Sequence, residues 1–386
     1  MPAVPVNVAS VSRVPEKRGR EDAGFFFAFI ACLVAFVSAS LYFFPHIIEG
    51  DAVGYINAMQ VFAGGTPTNF ADGAMTMTVT LHRILTTPLS VEALRVFSAL
   101  LGSTEAGWLL WDAVMFFATS VVFYQLLARM FRSSRVAFLG GLFFAGNYSM
   151  VAHGLGFFVD IGGWFFYVLS IFCLFAYIES GKYRDLLFSA LAIAVGALFK
   201  ENALVAVVPL TAIVFYENYP SPVRFLKRIV PLGLIVAVPM ITHYAFIYLQ
   251  YGYSYLYWIR LSHESVYYAS RLVEYIKSLG SLLTFLAPVS LLGVYALVRP
   301  TEASRLDTKR IIFIGSVIVS SIPALLWPGI TQRVLFMVVP GAVLLACIFV
   351  KQYERYWYAF LPVVLLYVLA SFFMDSFILN FVNLPL

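Results

Sequence analysis

Ionisable side chains beside long apolar runs are the residues of this sequence whose types and positions best suit chemistry. A carboxylate at such a position can act as a general base toward a hydroxyl group, and an isolated cation can bind a phosphate. A charged group next to lipid is costly, so one that occurs there is commonly functional. Each also has a structural explanation, as a carboxylate favoured by a helix dipole or a basic side chain reaching the membrane surface. The candidates are Glu49, Asp51, Asp160, Lys200, Glu201 and Arg333.

A tyrosine-rich segment at 250–279 supplies a second group of candidates. An aromatic belt at the membrane surface accounts for most of its rings, whereas one or two rings could stack on a sugar. Four neighbours do not fit such a belt and are candidate substrate contacts, as is Tyr55 in the helix predicted after Asp51. The four neighbours are Arg260, His263, Glu264 and Arg271.

The elements that position these residues follow from the composition. Of the 386 residues, 61% are hydrophobic and 12% are charged, against roughly 45–50% and about 25% in soluble domains. Such a chain cannot cover a globular surface with polar groups, so we predict an all-α bundle of about eleven transmembrane helices in lipid. The net charge of +5 does not indicate a nucleic-acid partner, because most basic residues lie in short turns between apolar runs.

Apolar runs that suit a bilayer crossing recur along the chain. The first, 25–44, is interpreted as an uncleaved helix because of its length, although Ser38-Ala39-Ser40 resembles a signal-peptidase site. Two of the others are short for a full crossing. The others lie at 105–127, 136–150, 160–178, 186–199, 202–216, 229–249, 280–298, 311–327, 334–350 and 357–375.

The basic residues predict the orientation of the bundle. With the N-terminus in the cytoplasm, inner segments carry 18 of the 25 Lys and Arg residues and outer segments carry 7, the bias of the positive-inside rule. We therefore expect an integral protein of the plasma (inner) membrane, with its chemistry on the extracytoplasmic face. The predicted organisation is a cytoplasmic tail over 1–23, a single transmembrane domain over 24–375 with outer loops at 45–103 and 250–279, a short outer tail over 376–386, and no soluble domain.

The first outer loop has helical periodicity of its own. Tyr55, Ala58, Met59 and Phe62 fall on one helical face, and Gly64-Gly65 ends that pattern. A second pattern starts at Pro88 and places Val91, Leu94, Phe97 and Leu101 on one stripe. Both patterns predict amphipathic helices at the membrane surface.

The order of these motifs resembles a known class, the membrane-embedded GT-C glycosyltransferases, which includes protein O-mannosyltransferases and the lipid A aminoarabinose transferase. The similar motifs cover roughly 24–350 of the chain. They are Glu49-Gly-Asp51 after the first helix, Asp160 at the start of the fourth span, Lys200-Glu201 between two spans, and Thr331-Gln-Arg333 before Pro340.

The resemblance implies a sugar donor carried on a polyprenyl phosphate and an acidic catalytic base in the first outer loop. Asp51 matches that base, Arg333 matches the basic residue near the donor phosphate, and Lys200 matches a second basic position. Glu49, Asp160 and Glu201 are then expected to orient the acceptor or to hold a divalent metal ion, which stays open. A lipid-linked donor is also expected on physical grounds. Because no cytosolic domain is predicted to hold a nucleotide sugar, the activated sugar must arrive through the membrane.

Two departures from the protein mannosyltransferases bear on the acceptor. Glu49 and Asp51 are separated by Gly50 rather than adjacent, and we predict no soluble domain after the last span. A lipid or glycan acceptor is therefore preferred to a protein. The main alternative function is a transporter or flippase of a lipid-linked or small polar substrate, and a membrane scaffold is a third. Polar residues gathered at one face, rather than at the bilayer midplane in matched halves, favour the enzyme.

Overall fold

The computed structural model describes residues 15–43, 51–64, 73–264, 291–299, 301, 305–322 and 336–382. Within these ranges every regular element is helical, which confirms the predicted all-α class. Short 3₁₀ and π turns join some of the helices, and residues 291–298 are also helical. The α-helices labelled here are α1 (Pro15–Phe43), α2 (Asp51–Phe62), α3 (Gly73–Thr86), α4 (Pro88–Leu101), α5 (Thr104–Phe131), α6 (Ser134–Ala145), α7 (Asp160–Ser180), α8 (Tyr183–Phe199), α9 (Val207–Asn218), α10 (Pro222–Tyr251), α11 (Tyr255–Glu264), α12 (Thr308–Val319), α13 (Val339–Gln352) and α14 (Trp357–Val382).

Five of the described helical segments are long and apolar enough to cross a membrane. They lie in α1, α5, α7, α10 and α14, and the pair α3–α4, bent by 98°, would make a sixth if it were one broken span. Most other predicted runs are also helical but shorter, as in α6, α8, α9, α12 and α13. The structure therefore confirms a polytopic helical protein, whereas the count of about eleven spans stays a prediction.

A large apolar core joins the spanning helices. Helix α7 packs most extensively on α8, and α5 packs on both α6 and α7. Trp164 of α7 stacks on Phe336, with ring centroids 4.0 Å apart and planes within 12°. Aromatic stacking of this kind fixes the relative positions of distant parts of the chain. The spanning helices are therefore packed around one continuous apolar core.

A smaller core lies at one end of this frame and is built mainly by the first predicted loop. It contains Ala52, Tyr55 and Ala58 of α2 together with Val91 and Leu94 of α4, all buried. The two predicted amphipathic helices are therefore present, and their apolar faces pack on protein. Phe62 and Leu101, predicted on these two faces, are instead 43% and 47% exposed. Helix α3, which the sequence did not predict, lies between α2 and α4 in the chain and contributes Leu81, Ile84 and Leu85 to this small core.

Candidate active site

The predicted site residues divide into those that the structure describes fully and those that it does not. Asp51 is the first residue of α2, and His263 and Glu264 end α11, but the side chains of these three lie outside the described part of the chain. Glu49, Arg271 and Arg333 lie outside it entirely. Arg260 of α11 is exposed. The four remaining candidates all lie at or beside the small core: Tyr55, Asp160, Lys200 and Glu201.

Lys200 lies on a tight break between two helices. It follows α8 in an extended backbone conformation, with φ −165° and ψ 133°, and a 3₁₀ turn over Glu201–Ala206 comes next. Gly163 of α7 permits the close approach, since a Cβ added there would lie 2.6 Å from Lys200 Cβ and 2.2 Å from Asn202 Oδ1. On the other side, Ser90 of α4 donates a hydrogen bond to the carbonyl oxygen of Phe199 at 2.7 Å. The turn at Lys200 is therefore packed against α7 on one side and hydrogen-bonded to α4 on the other.

The Lys200 side chain is buried yet charged. Only 7% of the residue is exposed, and its Nζ lies 3.7 Å from Glu201 Oε1. Burial by itself would lower the pKa of Lys200, but the nearby Glu201 carboxylate, with Tyr55 and Asp160, raises that pKa above its usual value. A buried cation keeps its proton only when opposite charge compensates for lost hydration. Lys200 is therefore a cation across the physiological pH range.

A second cation, Arg83 of α3, shares this environment, and sequence reasoning did not single it out. Arg83 is 7% exposed and lies within electrostatic reach of Lys200. Its guanidinium carbon is 4.9 Å from the centroid of the Tyr55 ring. Gly54 of α2 makes room for α3, because an added Cβ would lie 3.0 Å from Val79 and 3.6 Å from Arg83. The sequence signal was an Arg spaced among the apolar residues Val79, Leu81, Ile84 and Leu85.

Two buried carboxyl groups lie beside the cations. Asp160 is the first residue of α7, at the predicted start of a span; it is buried and interacts electrostatically with Lys200. Asp112 of α5 is fully buried and interacts with Asp160 and with the backbone N–H of Phe157. Phe157 itself has a φ of +34°, an uncommon backbone conformation for a residue with a side chain. Asp112 was missed because it lies inside a predicted span.

Aromatic side chains form one wall of the site. His82 of α3 stacks on Trp258 of α11, with ring centroids 4.0 Å apart and planes within 12°. Tyr255 lies at 5.7 Å from the same imidazole. Burial raises the pKa of Tyr255 to about 12, with the Glu201 carboxylate acting in the same direction. Its phenol is therefore protonated at neutral pH and able to donate a hydrogen bond. Tyr255 of the tyrosine-rich segment therefore lies within electrostatic reach of Glu201, whereas Arg260 is exposed.

Buried polar atoms without hydrogen-bond partners are concentrated in and around the small core. Native proteins satisfy nearly all buried polar groups, so such a concentration indicates a place where a polar ligand or water completes the bonding. Among the described residues, these atoms belong to Tyr55, Asn57, Trp108, Trp111, Glu201, Asn202 and Tyr253. No three described His, Cys, Asp or Glu side chains gather as a metal-binding group. A divalent metal ion therefore stays an open prediction.

Comparison with known proteins supports the GT-C resemblance. Residues 86–246 match the family of dolichyl-phosphate-mannose-protein mannosyltransferases. The fold is similar to that of ArnT from Cupriavidus metallidurans bound to undecaprenyl phosphate, at 17% identity and a TM-score of 0.58, over 85% of this chain and 60% of that one. The apo state of ArnT gives 15% identity, a TM-score of 0.57, and coverage of 86% and 62%.

A third solved structure is more distant. The Saccharomyces cerevisiae protein O-mannosyltransferase complex Pmt1-Pmt2, bound to the sugar donor, matches at 17% identity with a TM-score of 0.44, over 58% of this chain and 33% of that one. No curated protein matches the sequence. The chain spans about three fifths of the length of ArnT. The predicted GT-C resemblance is confirmed, because both the family match and the shared fold are those of membrane glycosyltransferases.

Proposed function

We propose that this chain, which has the GT-C fold, transfers a sugar from a polyprenyl-phosphate donor to an acceptor hydroxyl group. The observation that carries the proposal is the pair of buried cations, Arg83 and Lys200, in one electrostatic environment. A guanidinium and an ammonium group together offer the positive charge and the N–H donors that bind a phosphate. A phosphate on a lipid fits, since it reaches the site from the membrane. The related fold of ArnT was solved with undecaprenyl phosphate bound.

The reaction is a single displacement at the anomeric carbon of the donor sugar. The acceptor oxygen forms a bond to that carbon as the bond from the carbon to the phosphate oxygen breaks. The bonding electrons leave with the phosphate, whose developing charge Arg83 and Lys200 stabilise, together with Arg333. The acceptor proton passes to Asp51 as general base. One displacement of this kind inverts the anomeric configuration.

The position of Asp51 in the chain suits this role. It is the first residue of α2 and precedes Tyr55, which contacts Arg83, by one helical turn. A carboxylate at a helix N-terminus is favoured in its ionised form, as a base requires. Asp160, which interacts electrostatically with Lys200, is the residue that we expect to orient the acceptor. We expect that acceptor to be a lipid or glycan in preference to a protein.

The charge distribution of the helices supports an extracytoplasmic site. Helix α8 begins beside Lys182 and Arg184 and ends at Lys200, so these cations lie at opposite ends of one helix. At the end with Lys182, Lys309 donates a hydrogen bond to Glu217 at 2.7 Å and Arg228 lies 3.6 Å from that carboxylate. Basic residues are typical of the cytoplasmic side. The opposite end, with the candidate site, is then extracytoplasmic, and the N-terminus is cytoplasmic.

Purified protein reconstituted in lipid vesicles tests the proposal. A panel of polyprenyl-phosphate sugars with a labelled sugar is supplied together with lipid and glycan acceptors, and the labelled product is identified by mass spectrometry. Transfer that requires the polyprenyl phosphate supports the proposal. Movement of the labelled donor across the vesicle membrane without a glycosylated product would instead indicate a flippase.

A further inference from the structure

The two oxygens of the Glu201 carboxylate have different surroundings. Its Oε1 lies 3.7 Å from Lys200 Nζ. Its Oε2 is buried, and no described residue donates a hydrogen bond to it. A buried carboxylate oxygen without a donor is costly, and hydroxyl groups of a ligand would supply the missing bonds.

The surroundings of Glu201 suit a ring with both polar and apolar faces. Glu201 interacts electrostatically with the phenols of Tyr244 and Tyr255. Tyr255 in turn lies against His82, which stacks on Trp258. A carboxylate and phenols next to a flat aromatic surface are the groups that bind the hydroxyls and the apolar face of a sugar. Such amphipathic walls are typical of sites that fix a small polar ligand.

The distance between Lys200 and Glu201 matches one ligand that carries both a phosphate and a sugar. With ordinary hydrogen-bond lengths, a phosphate oxygen on Lys200 Nζ and a hydroxyl oxygen on Glu201 Oε2 lie at most about 11 Å apart. The oxygens of a sugar linked directly to a phosphate fall within that distance. A free sugar and a separate phosphate are not required.

We propose that Glu201 is the specificity-determining residue for the donor sugar, accepting hydrogen bonds from its ring hydroxyls beside the phenol of Tyr255. This inference rests on the proposed function, because it takes the Lys200 ligand to be the donor phosphate. The sugar class is a neutral, hydroxyl-bearing aldose. Lys200, whose Nζ lies 3.7 Å from Oε1, already compensates the charge of the Glu201 carboxylate, and Arg83 would compensate the donor phosphate, so neutral hydroxyl groups rather than an ammonium group suit Oε2.

Binding measurements can separate recognition of the sugar from recognition of the phosphate. Purified wild-type protein, Glu201→Gln and Glu201→Ala are compared for binding of bare undecaprenyl phosphate, of undecaprenyl-phosphate hexoses, and of the same lipid carrying an amino sugar. Loss of a hydrogen bond to a charged group is expected to cost about tenfold to a hundredfold in affinity for the hexose lipids. The affinity for bare undecaprenyl phosphate should be unchanged or higher, because Lys200 loses its partner.

Two further variants control the measurement. Glu92 is an exposed carboxylate on α4 that pairs with Arg95, so Glu92→Gln should leave all three affinities unchanged. Tyr255→Phe removes only the phenol oxygen and should weaken the hexose lipids alone. Thermal unfolding of each variant in the same lipid identifies any that fail to fold. If Glu201→Ala fails to fold, the affinities of Glu201→Gln, which keeps the side-chain size, test whether Glu201 binds the sugar.

The outcomes are distinct for the two proposals. If the Glu201 variants keep the wild-type preference for hexose lipid over bare lipid, the assignment of Glu201 is wrong while the proposed donor class stands. A wild-type preference for the amino-sugar lipid would overturn the neutral-sugar assignment. If wild-type protein binds none of the three lipids, the proposed function itself fails.

Discussion

The guanidinium carbon of Arg83 lies 4.9 Å from the centroid of the Tyr55 ring. This contact joins α3 to α2. Tyr55 lies one helical turn after Asp51, so the buried cation lies against the helix that begins with Asp51. A cation over an aromatic face is stabilised by the ring quadrupole, which helps Arg83 to remain buried. The contact therefore connects the helix that carries the proposed base with the cations proposed to bind the donor.

Replacing Arg83 should weaken donor binding. Arg83→Ala removes a buried cation and is expected to lower the affinity for undecaprenyl phosphate by about tenfold to a hundredfold, the range for a charge-assisted hydrogen bond. Arg95→Ala is the matched control, because Arg95 is an exposed Arg on α4 that pairs with Glu92. Lipid binding by native mass spectrometry measures both. Equal affinity in Arg83→Ala and wild type would leave Arg83 with a structural role.

Replacing the proposed base should abolish turnover but spare donor binding. Asp51→Asn keeps the size of the side chain and removes its basicity, so transfer should fall by about 10² or more. Product formation under single-turnover conditions measures the chemical step, and lipid binding is measured in parallel. Transfer at near the wild-type rate would exclude Asp51 as the base and make Asp160 the first candidate.

Adding a methyl group at Gly163 should displace Lys200. The new Cβ would lie 2.6 Å from Lys200 Cβ and 2.2 Å from Asn202 Oδ1, and such overpacking costs about 1–3 kcal/mol. Gly163→Ala should therefore lower both thermal stability and donor affinity. Gly233→Ala in α10 is the control, since nothing lies within 4 Å of an added Cβ there. A fully active and stable Gly163→Ala protein would contradict the close packing of the turn.

Labelling of cysteines in intact cells tests the orientation. Cysteines introduced at Thr66 and Ser265, in the two predicted outer loops, should react with an impermeant thiol reagent. Lys182→Cys, in the short connection between α7 and α8, should react only after permeabilisation. The three native cysteines are partly or fully buried and are removed to lower the background. The reverse labelling pattern would overturn the predicted topology.

The sequence by itself determined the class of this protein and the position of most of its helices. Apolar runs without charge form helices in lipid because every backbone polar group must be satisfied within the element, and α5, α7 and α10 follow the predicted runs closely. The ends of these runs also identified Asp160 and Lys200 as candidates, because a charged residue at the end of an apolar run is evident from the sequence alone.

Only the tertiary structure decided which charges share a site. Arg83 and Asp112 were not singled out, the first because α3 was not predicted within the outer loop and the second because it lies inside a predicted span. Both are buried beside Lys200 or Asp160. Burial and the distance between side chains depend on how α3, α5 and α8 pack, and the hydrophobic pattern of each helix specifies which face is apolar but not what that face meets.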